Sequence, residues 1–272
     1  MKPIAEQTIL ITGTTDGLGK QVALELAHQG ALILLHGRSP QKLDSTQAEI
    51  RAATPNARLE SYRADFAALD QVRQLAADVA ARHPRLDLLI NNAGITSQTR
   101  ELSADGYELT FAVNYLAHYL LTDLLLPNLR AAAPSRIINV SSAGQYPLDF
   151  DNLMFERNYV ALNAYRQSKL AQIMSTFDLA DELRGEQVTV NALHPASLMA
   201  TNLVMNSFGY SMSQVEDGAK SVLRLATDPA LDGVTGRYFD QLDEARANPQ
   251  AYDLDARRRL KQLSDQLTGL IR

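Results

Sequence analysis

Thr8-Ile9-Leu10-Ile11-Thr12-Gly13-Thr14-Thr15-Asp16-Gly17-Leu18-Gly19 is a short apolar run that breaks into a turn with three glycines and enters a helix pattern reaching His28. A strand that feeds a helix through glycines lets the backbone approach a pyrophosphate. The phosphate then meets the free N–H groups and positive dipole end of the helix. The phosphate-facing candidates in this turn are Gly13, Thr15, Asp16, Gly17, Leu18 and Gly19. The spacing Gly-x3-Gly-x-Gly departs from the commoner Gly-x-Gly-x-x-Gly, and glycines after a strand also serve as plain turn formers. Position after the first strand of a βαβ unit favours the nucleotide reading.

Outward from this stretch, β-branched apolar runs alternate with helix-period segments. Strands are predicted over Thr8–Thr12, Ala31–His36, Arg58–Tyr62, Leu86–Asn91, Arg136–Val140, Val188–Leu193 and Arg237–Phe239. Helices are predicted over Leu18–His28, Leu69–Arg82, Gly106–Leu126 and Ala164–Leu183. Continuous apolar strands such as Leu32-Ile33-Leu34-Leu35 suit a parallel sheet covered on both faces. The expected fold is therefore α/β: one doubly wound, Rossmann-type domain over residues 1–272, with about seven parallel strands flanked by helices. Two stretches, 145–163 and 196–213, interrupt the pattern and are expected to be substrate loops. Leu148, Phe150, Leu153, Met154, Phe155, Met199, Leu203, Met205 and Phe208 make them apolar enough to wall a hydrophobic pocket, although core packing explains several equally well.

The bulk composition narrows the field. An apolar share of 46% and a charged share of 21% belong to an ordinary globule, and a net charge of -5 offers no basic footprint for nucleic acid. The run Arg257-Arg258-Arg259 reads as a solvated helix face. With no cysteine, disulfides, thiolate nucleophiles and zinc–thiolate sites are excluded, and the five scattered histidines suggest no metal. The first seven residues carry an acid and no apolar run, and no stretch approaches about 18 uninterrupted apolar residues. No membrane span is expected, and the expected location is cytoplasmic.

The tip of the second strand reports on the ribose. Dinucleotide folds that use NAD carry Asp or Glu there to accept from the 2′-hydroxyl. Here the tip reads His36-Gly37-Arg38-Ser39, and the Arg38 guanidinium suits a 2′-phosphate. NADP(H) is favoured and NAD(H) stays open, since the Asp16 carboxylate could lie near the same phosphate; Arg38 is otherwise a surface loop arginine. Asp65, after the third strand, is placed to accept from an adenine amino group or, equally, to cap the next helix. Asn91-Asn92-Ala93-Gly94 ends the fourth strand on the switch-point side, where Asn91, Ala93 and Gly94 are candidates for close cofactor approach. Taken alone, it reads as a simple turn.

Tyr165-Arg166-Gln167-Ser168-Lys169 carries the chemistry. Residues four apart on a helix share a face, and a fixed ammonium beside a phenol favours the phenolate. With ten tyrosines and six lysines, about 0.2 of such a match arises by chance, but none of the other nine tyrosines has lysine four places on. Ile137-Ile138-Asn139-Val140-Ser141-Ser142 is a strand ending in two hydroxyls that either polarise a substrate carbonyl or satisfy the strand end. Asn114 is a polar residue in an apolar helix and must be satisfied by backbone or by ordered water, the latter giving Lys169 a proton path to solvent.

Taken together, Thr12-Gly13-x3-Gly17-x-Gly19, Asp65, Asn91-Asn92-Ala93-Gly94, Asn114, Ser142, Tyr165-x3-Lys169 and His194-Pro195 resemble the classical-type short-chain dehydrogenase/reductases in order and spacing, from about Thr8 to Phe239. The resemblance implies a catalytic tetrad of Asn114, Ser142, Tyr165 and Lys169, with Lys169 also holding the nicotinamide ribose. It selects Ser142 over Ser141. Val113-Asn114-Tyr115-Leu116-Ala117-His118-Tyr119-Leu120-Leu121-Thr122 and the wide gap from Ser142 to Tyr165 are similar to the retinol-dehydrogenase and WW-domain-oxidoreductase-like branch. The pattern departs after Pro195: Ala196 replaces a glycine, Thr201 falls one place late, and Leu198 is the residue aligned with nicotinamide contact. Implied are an oxidoreductase interconverting a carbonyl and an alcohol on an apolar small molecule, and a homodimer or homotetramer joined through the helices near Gly106 and Ala164. The competing reading is a non-catalytic NADP(H)-binding regulator of the same fold. A pure sensor has no need of all four tetrad residues, which argues for the enzyme.

Overall fold

Eight strands form one sheet in the order β3-β2-β1-β4-β5-β6-β7-β8 in the computed structural model, which describes residues 1–54 and 57–270, the side chains of 206–208 excepted. They are β1 (Thr8–Ile11), β2 (Leu32–Gly37), β3 (Arg58–Arg63), β4 (Leu88–Asn91), β5 (Ser135–Val140), β6 (Val188–His194), β7 (Tyr238–Asp240) and β8 (Asp243–Ala245). The seven expected strands are present and parallel. The expected count falls one short, because β8 returns antiparallel to β7. Asp243-Glu244-Ala245 is short and mostly exposed, so it carries none of the apolar signal that marks a buried strand.

Side chains alternate across β1. Leu10 faces the helices Leu69–Arg82, Leu109–Ala132 and Ala161–Glu182, while Ile9 and Ile11 face Gly17–His28 and Val215–Thr227. This two-sided burial explains the continuous apolar strands. The chain runs outward from β1 to β3 and restarts on the other side of β1 with β4. The loops after β1 and β4 therefore meet at the topological switch point, where open α/β sheets bind ligands.

Helix Leu109–Ala132 is long and apolar enough to cross a bilayer by length and composition, yet Leu116, Leu120, Leu121, Leu125 and Leu129 are fully buried in the core. It widens into a π turn over Ala112–Leu116, centred on Asn114. Helices Pro40–Ala53, Asn202–Phe208, Val215–Thr227 and Leu254–Thr268 lie outside the segments predicted from periodicity.

The last of these changes the surface. Leu254–Thr268 lies on the two long helices expected to self-associate: the Tyr115 hydroxyl meets Ser264 Oγ at 2.8 Å and Tyr119 donates to Asp265 at 2.7 Å. Arg257 bonds Asp178 and Asp181 at 2.7 and 2.8 Å, and Lys261 pairs with Glu182 at 2.9 Å. The C-terminal helix thus lies on part of the face through which the resemblance implies a dimer or tetramer. Arg257 is buried, which corrects its reading as a solvated residue; Arg258 and Arg259 are exposed as expected.

The two interruptions expected to be substrate loops are held to the rest of the chain at several points. In 145–163, Leu148, Leu153 and Phe155 are buried, and Phe150 and Met154 pack against the core. Gln167 and Gln250 stitch the segment down, through Leu153 O at 2.9 Å and Leu148 O at 3.1 Å. In 196–213, Thr201 caps helix Asn202–Phe208 and Ala200 bonds Ser213 O at 3.0 Å. Met199 packs into the opposite core layer, Leu203 is half-buried and Met205 is exposed; the Phe208 side chain lies outside the described residues.

Candidate active site

The loop after β1 is held by its own first residue. Thr12 Oγ1 accepts from the N–H groups of Asn92 and Ala93 at 2.8 and 2.9 Å, joining it to the loop after β4. Asn92 answers with its amide, donating to Thr12 O at 2.8 Å and Gly13 O at 3.1 Å. Two glycines are obligatory here. A Cβ on Gly13 would stand 2.8 Å from Ala93 Cα, and one on Gly19 2.2 Å from Gly13 O. Leu18 anchors the start of helix Gly17–His28 in the core, leaving that helix's first-turn N–H groups at the switch point.

Other predicted contacts fall differently. Thr15 rests its methyl over Gly37, where a Cβ would lie only 2.5 Å away. The exposed Asp16 accepts from the Asn202 side chain at 2.6 Å, so its carboxylate ties the loop to the 196–213 segment. Arg38 is exposed one residue past the end of β2. Asp65 is neither bare nor a helix cap: its Oδ1 accepts from Ala67 N at 3.0 Å in a turn ahead of the helix, whose cap position is Ala68.

The Asn91 side chain lies inside the sheet. Its amide is buried and donates to Thr122 Oγ1 at 2.9 Å and Asn139 Oδ1 at 2.8 Å, bracing β4 against β5 inside the sheet. Strand alternation sends Asn91 inward, and the neighbouring Asn92 supplies the loop amide. Gly94 lies beside two tetrad residues: a Cβ on it would make ordinary contact with Asn114 Oδ1 at 3.5 Å and Lys169 Nζ at 3.6 Å.

Asn114 and Lys169 flank that glycine, and Lys169 in turn lies by Tyr165. Helix Ala161–Glu182 carries Tyr165 and, one turn later, Lys169, whose Nζ is 5.7 Å from the Tyr165 ring centre. Ser142, just beyond β5, accepts from Gly144 N at 3.0 Å, and its hydroxyl acts on the Tyr165 phenol, pulling its pKa down. Ser141 turns the other way, donating to Lys169 O at 2.7 Å in the core. Asn114 is fully committed to protein: Oδ1 accepts from Ile95 N at 2.8 Å, and Nδ2 donates to Ile95 O and Ser168 Oγ at 3.0 Å each.

The electrostatics follow from burial. Loss of solvent pushes the Tyr165 phenol above its ordinary range, against the Ser142 hydrogen bond that pulls it down. The same loss lowers Lys169 from 10.5 to about 7. Pro195 is buried beyond β6, and Leu198 is held at a φ of 44° with its carbonyl accepting from Met212 N at 2.9 Å.

Sequence reasoning missed Thr12, Asn92, His36, His118 and Gln172 as parts of this site. Gln172 Oε1 accepts from Lys169 Nζ at 3.0 Å, and its position one turn past Lys169 was the available signal.

The chain matches the model of the short chain dehydrogenase family over residues 7–209. It is 38% identical to human retinol dehydrogenase 13, over 98% of this chain and 86% of that protein. Its fold matches an uncharacterized protein from Mycobacterium paratuberculosis, with a TM-score of 0.82, 31% identity, and 98% and 94% of the two chains covered. A short chain dehydrogenase from Escherichia coli CFT073 complexed with NADPH matches with a TM-score of 0.72 and 26% identity, over 88% of this chain and 97% of that one. With the glycine loop at the switch point and Tyr165, Ser142 and Lys169 gathered beside it, the chain belongs to the short-chain dehydrogenases, in their retinol dehydrogenase branch.

Proposed function

We propose that this oxidoreductase interconverts an apolar aldehyde or ketone and its alcohol with NADP(H), using Tyr165 as the proton-transfer group. The observation that carries the reading is Lys169 Nζ set 5.7 Å from the centre of the Tyr165 ring, with Ser142 acting on the same phenol and Gly94 opening the space above Lys169. The glycine cradle fits a dinucleotide, which when bound supplies or accepts the hydride. In reduction, the neutral Tyr165 phenol donates its proton to the substrate oxygen. Ser142 orients that oxygen by hydrogen bonding, as a donor aimed at developing negative charge. Lys169 holds an exchangeable proton beside Gly94, where a ribose hydroxyl would lie. Burial favours the neutral phenol, the form reduction requires.

Arg38 and the absence of an acid at the β2 tip support NADP(H) over NAD(H), as does the NADPH-bound neighbour. The names of the relatives make retinal the first aldehyde to try. Absorbance of NADPH, followed with retinal and a series of apolar aldehydes and ketones, tests the proposal. Turnover with none of them, at micromolar enzyme, would remove the substrate class.

A further inference from the structure

Two buried histidines flank the Thr12-Gly13-Thr14 turn, and the proposed chemistry uses neither. His36, at the end of β2, accepts from Gly13 N–H through Nδ1 at 3.2 Å. Its other nitrogen meets the Ala64 carbonyl at 3.1 Å. A carbonyl only accepts, so Nε2 carries the hydrogen and His36 is the neutral Nε2–H tautomer. Its own carbonyl receives Thr14 N at 2.9 Å and Thr14 Oγ1 at 3.1 Å. His36 thus holds two successive residues of the turn from the β2 side.

His118, on helix Leu109–Ala132, has the opposite arrangement. Its Nδ1 meets the main-chain carbonyl of Asn114 at 3.0 Å, closer than the Gln172 amide nitrogen at 3.4 Å, and donates to that carbonyl; its Nε2 meets Thr12 Oγ1 at 2.9 Å. Thr12 Oγ1 already accepts two N–H groups, from Asn92 and Ala93, so its own hydrogen points to Nε2. A weaker alternative acceptor, Ile90 O, stands at 3.4 Å. His118 is therefore the neutral Nδ1–H tautomer. Between the two rings lies Phe66, stacked on His36 at 4.3 Å and edge-on to His118 at 5.3 Å. A continuous aromatic column runs behind the turn, from the β2 side of the sheet to the π turn that bears Asn114.

We infer that His36 and His118 are positioning residues that clamp the dinucleotide-binding turn from both sides through opposite, fixed tautomers. By spending the Gly13 and Thr14 N–H groups on His36, the clamp sets which later N–H groups face a phosphate. Through His118 and the Asn114 carbonyl it also ties that turn to the helix whose Asn114 side chain supports Ile95 and Ser168. Burial lowers His36 from 6.5 to about 4 and His118 to about 3, so both rings stay neutral at working pH. The inference rests on the dinucleotide reading of the site.

Imidazole nitrogen-15 shifts of the parent protein at pH 6.5 need no variant. They should show a protonated Nε2 on His36 and a protonated Nδ1 on His118. The reverse tautomer, or a charged ring, at either residue would overturn the clamp. Calorimetric titration with NADP+ supplies the functional arm. His36→Phe keeps the stack on Phe66 and deletes the acceptor, so affinity should fall roughly threefold to tenfold, the worth of one hydrogen bond. The loss should appear in the cofactor Michaelis constant more than in kcat. His36→Asn returns an acceptor near the Nδ1 position and should recover most of the affinity. Lower melting temperatures with unchanged affinity in both variants would make His36 a packing residue and end the proposal. If the parent binds neither NADP+ nor NAD+, the dinucleotide reading itself fails, a result separable from any difference between the variants.

Discussion

The Lys169 ammonium lies 5.7 Å from the centre of the Tyr165 ring and donates its hydrogen bonds to Val140 O at 2.8 Å and Gln172 Oε1 at 3.0 Å. The lysine is thereby held by neutral acceptors in a buried site, and its position is set by β5 and by its own helix. Burial has opposite consequences for the two groups, lowering the lysine and raising the phenol. Both shifts favour the uncharged forms.

Tyr165→Phe should keep cofactor affinity and lose turnover by about 10²–10⁴-fold, because only the proton-transfer hydroxyl is removed. Calorimetry with NADP+ alongside steady-state rates checks this. Retention of more than about a tenth of the activity, well short of that range, would take the proton-transfer role from Tyr165.

Arg38→Ala should raise the Michaelis constant for NADPH roughly tenfold to a hundredfold, the worth of a charge-assisted hydrogen bond, and leave NADH nearly unchanged. Equal losses for both cofactors would return Arg38 to a surface role. A carboxylate meant to invert the preference belongs at position 38 itself. Gly37→Asp would drive a Cβ to within 2.5 Å of the Thr15 methyl and disturb the phosphate loop.

Lys169→Met should abolish activity and leave a pH signature in stability. In the unfolded chain Lys169 binds its proton up to 10.5, and in the folded chain only up to about 7. Between those values the unfolded state holds more protons, so the parent's stability rises with pH. Methionine has no such slope. The melting temperature of the variant minus that of the parent should therefore fall from pH 7 to pH 10, measured without nucleotide. A constant difference would show that the lysine is not held neutral by burial.

The chain should sediment near its monomer mass of 29.9 kDa at micromolar concentration, because helix Leu254–Thr268 lies on part of the face expected to self-associate. Arg257→Ala, which leaves Asp178 and Asp181 without their shared guanidinium, should cost about 1–3 kcal/mol in denaturant unfolding. A stable dimer in the full chain would place an interface elsewhere than these helices.

Periodicity and glycine spacing by themselves determined the parallel α/β sheet, the turn after β1, and the relation of Tyr165 to Lys169. Each is local: a strand's apolar run, a turn's demand for glycine and one helical turn are all readable over a few residues. The family resemblance, and not the residues alone, selected Ser142 over Ser141; in the structure Ser141 turns to Lys169 O while Ser142 acts on the Tyr165 phenol. Only tertiary structure decided that Asn91 turns into the sheet while Asn92 serves the loop, since one residue along a strand changes the face. It also decided that Asp16 reaches Asn202, that His36 and His118 meet at one turn, and that the C-terminal helix covers Tyr115 and Tyr119. These pairings join residues from 23 to 186 positions apart, and a hydrogen bond across such a distance leaves no periodic trace in the chain. It exists only because the sheet brings its two ends together.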